Sequence, residues 1–426
     1  MRFLIETMKT IFRILITAIL KWKAKRFLKK HRVQVIAITG SMGKSSTRQA
    51  IYTLLKKHFD VYSSPEGFNT EIGMSLAILQ EEESGFSSIV KWFKILKHVF
   101  FEKKNPYQKI ILEMGADCPG DIKKLVKIAP PKIGIITGIA PVHLGKGQFK
   151  NVHEIAKEKN QLIAHLRATD TAIVNEDDVL VAEMKTGGKR VTFGTKTSAE
   201  LRASDIVMTE KSIRFTVHFK GREQNFRVPV LGAFQIHVLL PAIAVGLELG
   251  LSLEQCAEAL TDFKLPPGRM NPIPGMNDSH IIDSSYNASP KTVEAALELM
   301  EGLQAERKIV ALGTMNELGE MSKDAHLTIG KRAANVGDLF IFVGPEATTL
   351  KKAITDAGIS ENKIYTFFDS EEAGHFLKTK IEPGDLILVK GSQNRVRMEK
   401  LVKVIMKQPE KAKALLCRQE EEWKNK

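Results

Sequence analysis

The chain has 426 residues, 43% of them hydrophobic and 26% charged, the profile of an ordinary globular protein with ample core and room for two or three domains. Its three cysteines, Cys118, Cys256 and Cys417, lie far apart and form neither a zinc pattern nor a disulfide framework, which suits a reducing cytosol. The net charge of +14 does not indicate a nucleic-acid-binding body, because residues 1–32 hold ten Lys or Arg against one acid, Glu6, and so account for +9 of it.

In that first segment Ile5, Met8, Phe12, Leu15, Ile19 and Trp22 recur at steps of three and four, the spacing of one helix face. Lys9 and Arg13 interrupt the run, its longest uncharged stretch is too short to span a bilayer, and no small-residue cleavage site follows. The expectation is a basic amphipathic helix over residues 1–32 lying on an anionic membrane surface, peripheral on its cytoplasmic face. A helix packed on the body or on a partner is the alternative.

Next comes "VQVIAITG" (33–40), a β-branched run that reads as a buried strand. "SMGKSST" follows, and then Ala50, Ile51, Leu54 and Leu55 at helical spacing. Strand, glycine turn and helix is the layout that turns backbone N–H groups and a helix N-terminus toward a phosphate. The common phosphate loop reads G-x-x-x-x-G-K-[ST], whereas here Gly40 stands only three residues before Gly43. Lys44 suits the β/γ-phosphates and the Ser45 hydroxyl suits Mg²⁺.

Strand candidates "KIILEMGA", "PKIGIITGI" and "TAIVN" then alternate with helical stretches, a parallel α/β pattern. Residues 203–230 break it with "DIVMTE", "SIRFTVHF" and "QNFRVPV", expected to form a small antiparallel insertion. Two helices follow near 236–250 and 252–263, and "KLPPGRMNPIPG" (264–275) reads as a linker. Beyond it, "HIIDSS", "KIVALGTM", "DLFIFVG", "KIYTFF" and "DLILVKG" open a second, Rossmann-like series. The expected organisation is the helix 1–32, a central P-loop ATPase-like domain 33–265, a Rossmann-like domain 266–410 and a polar tail 411–426.

Open α/β sheets hold their ligands at the carboxyl ends of strands. Glu113 ends one strand, His143 follows another, Lys159 lies in a helical stretch, Arg269 sits in the linker and Asp283 ends "HIID". Together with the short loop these residues resemble the Mur ligases, over about residues 33–405. "TGSMGKSST" matches that family's short loop, G-x-x-G-K-[ST], so nothing is missing from it. "FNTEIGMSLAIL", "LEMGADCPGDI", "APVHL" and "PPGRM" follow in order. "IIDSSYNASPKTVEAAL", "ALGTMNELGE" with His326, and "LVKGSQNRVRME" look most like the branch of the family that adds D-alanyl-D-alanine.

The resemblance implies an ATP- and Mg²⁺-dependent amide ligase of peptidoglycan precursor synthesis. ATP phosphorylates a muramyl-peptide carboxylate, and the amine of an amino acid or dipeptide displaces the phosphate. Gly40, Ser41, Met42, Gly43, Lys44, Ser45 and Ser46 would cradle the triphosphate, with Lys44 and Arg269 as fixed positive charges. Asp283 and Ser284 would meet the ribose. Ser45, Glu113, His143 and Lys159 would hold Mg²⁺, Lys159 as a carbamate, because an ammonium cannot ligate a metal. A monomer is expected.

Three features depart from the family pattern. Only 32 residues precede the nucleotide-binding region, too few for the family's UDP-gripping domain. The adenine motif G-x-H-N-x-x-N reads "GAFQIHV" from Gly232, and D-D-x-Y-N-A reads "DSSYNA", with Ser284 for the second aspartate. A ligase acting on a lipid-linked precursor and a nucleotide-binding scaffold are the alternative readings; retention of Lys44, Glu113, His143 and Lys159 favours an enzyme.

Overall fold

The computed structural model describes residues 2–81, 89–101, 107–142, 144, 147–209, 211–316, 318–393, 396–420 and 423. Helix α1 (Arg2–Lys30) leads into β1 (Gln34–Thr39) and α2 (Lys44–Leu55). β2 (Val61–Ser63), α3 (Glu71–Ile78), α4 (Ile89–Phe101), β3 (Lys109–Glu113), α5 (Asp121–Ile128), β4 (Ile133–Ile136) and α6 (Val152–Ala164) follow. Then come β5 (Thr171–Asn175), α7 (Val179–Ala182), β6 (Lys189–Gly194), β7 (Leu201–Met208), β8 (Ile213–Phe219), β9 (Arg222–Val228), α8 (Ile236–Glu248) and α9 (Leu253–Leu260).

These strands form one nine-stranded sheet in the order β2-β3-β1-β4-β5-β6-β7-β8-β9. Pairing is parallel from β2 through to β7 and antiparallel for β7–β8 and β8–β9. The expected antiparallel insertion is therefore the edge of the main sheet, joined through Phe193 and Gly194 of β6 pairing with Leu201 and Arg202 of β7. The crossovers run to opposite sides of β1, and the crevice at such a switch point is where the first loop opens.

The second half comprises β10 (Asn271–Pro274), β11 (His280–Ser284), α10 (Pro290–Gly302), β12 (Arg307–Gly313), α11 (Ser322–Ala334) and β13 (Leu339–Val343). It continues with α12 (Ala347–Asp356), β14 (Ile364–Phe367), α13 (Ser370–Lys378), β15 (Asp385–Lys390), α14 (Glu399–Ile405) and α15 (Ala412–Leu415). Its six-stranded sheet runs β10-β11-β15-β12-β13-β14, parallel except for β10. Part of the expected linker is thus an edge strand, and prolines at 272 and 274 suit an edge. Both faces of each sheet are covered by apolar cores, which is why β1, β3, β4 and β13 read as unbroken hydrophobic runs rather than alternating ones.

Two terminal segments depart from expectation. α1 buries Ile16, Leu20, Ala24 and Leu28 in the core beneath α3 and α5, and Lys21 pairs with Glu71 at the start of α3. Leu15, Ile19 and Trp22 from the expected apolar stripe instead face outward; the side chains of Ile5 and Met8 lie outside the described residues. The helix carries two apolar stripes, and the one at strict steps of four is buried. At the other end, Ala412, Leu416 and Cys417 join the second core, and the Arg418 guanidinium is buried against Glu399, 3.2 Å away. This part of the expected polar tail is folded structure.

Candidate active site

The loop after β1 is shaped by two glycines. Gly40 has φ +150°, and a Cβ there would lie 2.0 Å from Thr137 Oγ1 at the end of β4. Gly43 has φ +78°, a left-handed conformation, immediately before α2. The loop is tied to the neighbouring strand: Ser41 N donates to Gly138 O (2.8 Å) and Thr137 Oγ1 donates to Met42 O (2.6 Å). Lys44 Nζ donates to Gly40 O at 2.8 Å, folding its ammonium back over the concavity. Ser41, Met42, Gly43, Lys44, Ser45 and Ser46 line a cleft of about 1480 Å³ between the two halves of the molecule, while Gly40 lies beneath them.

Glu113, at the end of β3, reaches the first turn of α2. Its Oε2 accepts from Ser45 Oγ (3.1 Å) and its Oε1 from Arg48 Nε (2.7 Å). Arg48 is fixed in turn by Ser63 Oγ at 2.9 Å and by the Ser64 carbonyl. Arg269, from the segment joining the halves, crosses the cleft so that NH2 donates to Ser45 Oγ (2.9 Å) and Glu66 Oε1 (3.0 Å). Its guanidinium lies 3.9 Å from the centre of the Tyr286 ring, and its buried Nε has no partner among the described residues. That free N–H and the folded-back Lys44 ammonium are the donors a phosphate would meet. The hydroxyl and carboxylate of Ser45 and Glu113 are hard oxygen donors and suit Mg²⁺.

Lys159, inside α6, lines the same cleft and is 2% exposed. Burial, reinforced by the Lys44 charge, brings its ammonium down from the ordinary lysine range to about 7. Among the described residues it makes no hydrogen bond. Its neighbour Glu158 accepts from the Gly120 and Ile122 amides, both at 2.7 Å, capping α5. His143 lies outside the described residues. His326 is buried away from the cleft, its Nε2 accepting from Met315 N at 2.9 Å and its Nδ1 2.7 Å from the Ser322 carbonyl, a packing role.

Of the two ribose candidates, Ser284 lines the cleft but Asp283 lies behind it, fully buried. Asp283 Oδ1 accepts from Ser285 N (3.0 Å), Oδ2 has no partner among the described residues, and burial pushes the carboxyl up to about 6. Ser284 Oγ instead accepts from Lys390 Nζ (3.1 Å), which also donates to Asn287 O at 2.9 Å. Burial and the Arg269 charge lower the Lys390 ammonium to about 7. In the altered adenine motif Phe234, Gln235, His237 and Val238 all line the cleft; Val238 packs in the apolar core beside it, and His237 Nε2 lies 2.9 Å from Asp177 Oδ2. Lys390, His237, Asp177 and Arg48 escaped sequence reasoning because each depends on partners 60 to over 100 residues away. "LVKG", a strand ending in lysine beside glycine, was the one local signal.

A phosphate loop joined by an arginine from a second α/β half is matched by two known domains in tandem. The Mur ligase middle domain matches residues 38–246, and the Mur ligase, glutamate ligase domain matches residues 268–393. The chain belongs to the Mur ligase family. This Mur ligase is 27% identical over 395 residues to the UDP-N-acetylmuramoyl-tripeptide–D-alanyl-D-alanine ligase of Bacillus subtilis, covering 91% of this chain and 79% of that one. It is 29% identical over 384 residues to the enzyme of the same name from Mycobacterium tuberculosis strain H37Rv, covering 84% and 70%. The crystal structure of MurF ligase from Thermotoga maritima in complex with ADP superposes with a TM-score of 0.76 at 27% identity, over 93% of this chain and 84% of that one. The class is that of ATP-dependent ligases that form carbon–nitrogen bonds in peptidoglycan precursor synthesis.

Proposed function

We propose that this Mur ligase joins D-alanyl-D-alanine to the terminal carboxylate of a muramyl tripeptide. A carboxylate is a poor electrophile at neutral pH. ATP transfers its γ-phosphoryl group to the carboxylate oxygen, ADP leaves, the dipeptide amine attacks the carbonyl carbon, and phosphate departs with the carboxylate oxygen. Catalysis of the first step is mainly charge neutralisation and alignment. Residues Gly40–Ser46 hold the triphosphate. Lys44 and Arg269 offset the charge that gathers as two anions approach, and His237 with Asp177 lines the nucleoside end. Ser45 and Glu113 would hold Mg²⁺, which neutralises phosphate charge, while His143 and a carbamate on Lys159 would hold a second ion. A buried lysine with a depressed pKa keeps the neutral amine that CO₂ addition requires.

The observation that carries this reading is the meeting of Arg269 and Glu113 on one hydroxyl, Ser45 Oγ, which joins the phosphate loop to the second half of the molecule. The same reading takes residues 1–32 to the inner face of the plasma membrane, supported by their +9 charge and by Leu15 and Trp22 facing outward. Among the described residues no helix is long and apolar enough to cross a membrane. The test is phosphate release from ATP with muramyl tripeptide and D-alanyl-D-alanine added singly and together. Release that requires both, with the pentapeptide seen by mass spectrometry, supports the assignment. ATP turnover indifferent to the dipeptide refutes it.

A further inference from the structure

Helix α1 does more than cover the core. Thr17 and Lys21 line the active-site cleft on one side of it. Ile14, one turn before Thr17 and Ala18, also lines the cleft yet is 62% exposed, so it belongs equally to the outer surface. From there Leu15, Ile19 and Trp22 continue the exposed strip around the helix. On the far side Lys23 Nζ sits 4.6 Å from the centre of the Phe100 ring, so the strip abuts α4.

α4 repeats the design. Its inner face puts Trp92, Ile95 and Val99 into the core that α1 shares, and its outer face presents Phe93 and Phe101, 66% and 82% exposed. The two helices meet where Lys23 lies over Phe100, and exposed apolar side chains stand on both of them. The charges among them have a single sign. Lys23, Lys25, Arg26, Lys29 and Lys30 follow on α1, Lys91, Lys94 and Lys97 stand exposed on α4, and neither 7–30 nor 89–101 contains an acid. A protein interface is depleted of lysine, whereas aromatic side chains set among lysines are what an anionic bilayer surface takes.

We propose that α1 and α4 together form a docking surface for an anionic lipid bilayer, and that the acceptor peptide reaches the cleft from that bilayer, carried on a lipid-linked diphosphate. The proposal rests on the ligase reading above. The geometry is continuous: Ile14 and Ala18 are exposed on the outward strip and also line the cleft that the phosphate loop lines, so a headgroup held at the bilayer surface meets the mouth of that cleft.

The experiment compares the full chain with a variant carrying Trp22→Glu, Phe93→Glu and Phe101→Glu, all exposed positions outside the catalytic machinery. Co-sedimentation uses vesicles of phosphatidylglycerol mixed with phosphatidylcholine, and of phosphatidylcholine alone. The parent is expected to bind the anionic vesicles at least about tenfold more tightly, with the preference falling as salt rises, and the variant to lose this binding while unfolding at the same urea concentration. Ligation is then measured on muramyl tripeptide carried by a polyprenyl diphosphate in those vesicles and on the soluble nucleotide-linked peptide. The parent is expected to favour the lipid-borne acceptor, and the variant to lose that activity while keeping turnover on the soluble one. Equal binding to both vesicle types, unchanged binding by the variant, a surface instead occupied by a second copy of the chain in solution, or no preference between acceptors overturns the proposal. Intact vesicle binding with no ligation of either acceptor overturns the ligase reading, and the acceptor half of this proposal with it.

Discussion

Substituting Ser284→Asp tests the most unusual polar contact at the cleft. Lys390 is 4% exposed, and among the described residues its ammonium donates to Ser284 Oγ at 3.1 Å and Asn287 O at 2.9 Å. Burial and the Arg269 charge bring it to about 7, so in the folded protein it is about half charged at neutral pH. Its folded pKa lies below the unfolded value, so above about 10.5 it carries no penalty, and stability falls as the pH drops from there toward 7, where the unfolded chain takes up the proton first. An aspartate at 284 gives the ammonium a charged acceptor about 3 Å away, worth about 1.5–3 kcal/mol. The variant is therefore expected to gain on the parent as the pH is lowered from about 10 to 7, read as the difference in urea unfolding free energy across that window. Mg·ATP and Mg·GTP titrations supply a second readout. A carboxylate at the ribose is blind to the base, so both nucleotides are expected to tighten equally. Restoring the motif asparagine at Val238 is a poor companion test, because Val238 lines the cleft but is 7% exposed and packed in the core, and an amide there costs about 1–3 kcal/mol that nucleotide contacts must first offset. A Ser284→Asp protein no more stable than the parent at pH 7, with the difference unchanged at pH 10, would refute the Lys390 account.

Further substitutions probe the rest of the site. Lys159→Ala is expected to abolish ligation, and added formate or acetate to restore part of it by placing a carboxylate in the gap; near-normal turnover without rescue would remove Lys159 from the metal set. Gly40→Ala drives a methyl group into Thr137 Oγ1, 2.0 Å away, and is expected to weaken Mg·ATP binding by at least about tenfold in calorimetry with the circular dichroism unchanged. Arg418→Met leaves Glu399 with one of its two buried arginine partners and is expected to cost about 3–5 kcal/mol in urea unfolding. Arg418 also stacks on Tyr286, 4.9 Å from the ring centre, on whose ring Arg269 lies, so the same variant is expected to weaken ATP binding beyond its loss of stability.

The parts of the site that were legible in the sequence are those fixed by local backbone chemistry. A β-branched run, glycines three apart and a lysine at the helix start leave one geometry for residues 34–55, and the structure adopts it. Glu113 and Arg269 could be placed at the cleft because strand ends and the inter-domain segment are where such sheets open, whereas Lys159, in the middle of α6, was placed there by the family resemblance. What stayed hidden depends on the third dimension. No periodicity tells which of two apolar stripes on α1 meets the core; the choice is made by the packing against α3 and α5, which takes Ile16, Leu20, Ala24 and Leu28. For the same reason Asp283 reads as a ligand from its position at a strand end yet faces inward, since side chains alternate along a strand and Ser284 takes the cleft side. The consequence for α1 is mechanical as well as descriptive. Burying four apolar side chains at about 1–3 kcal/mol each makes it part of the folded body. Removing residues 1–30 would strip a core as well as a surface, so its outward role is separable from its inward one only by substitutions confined to the exposed strip.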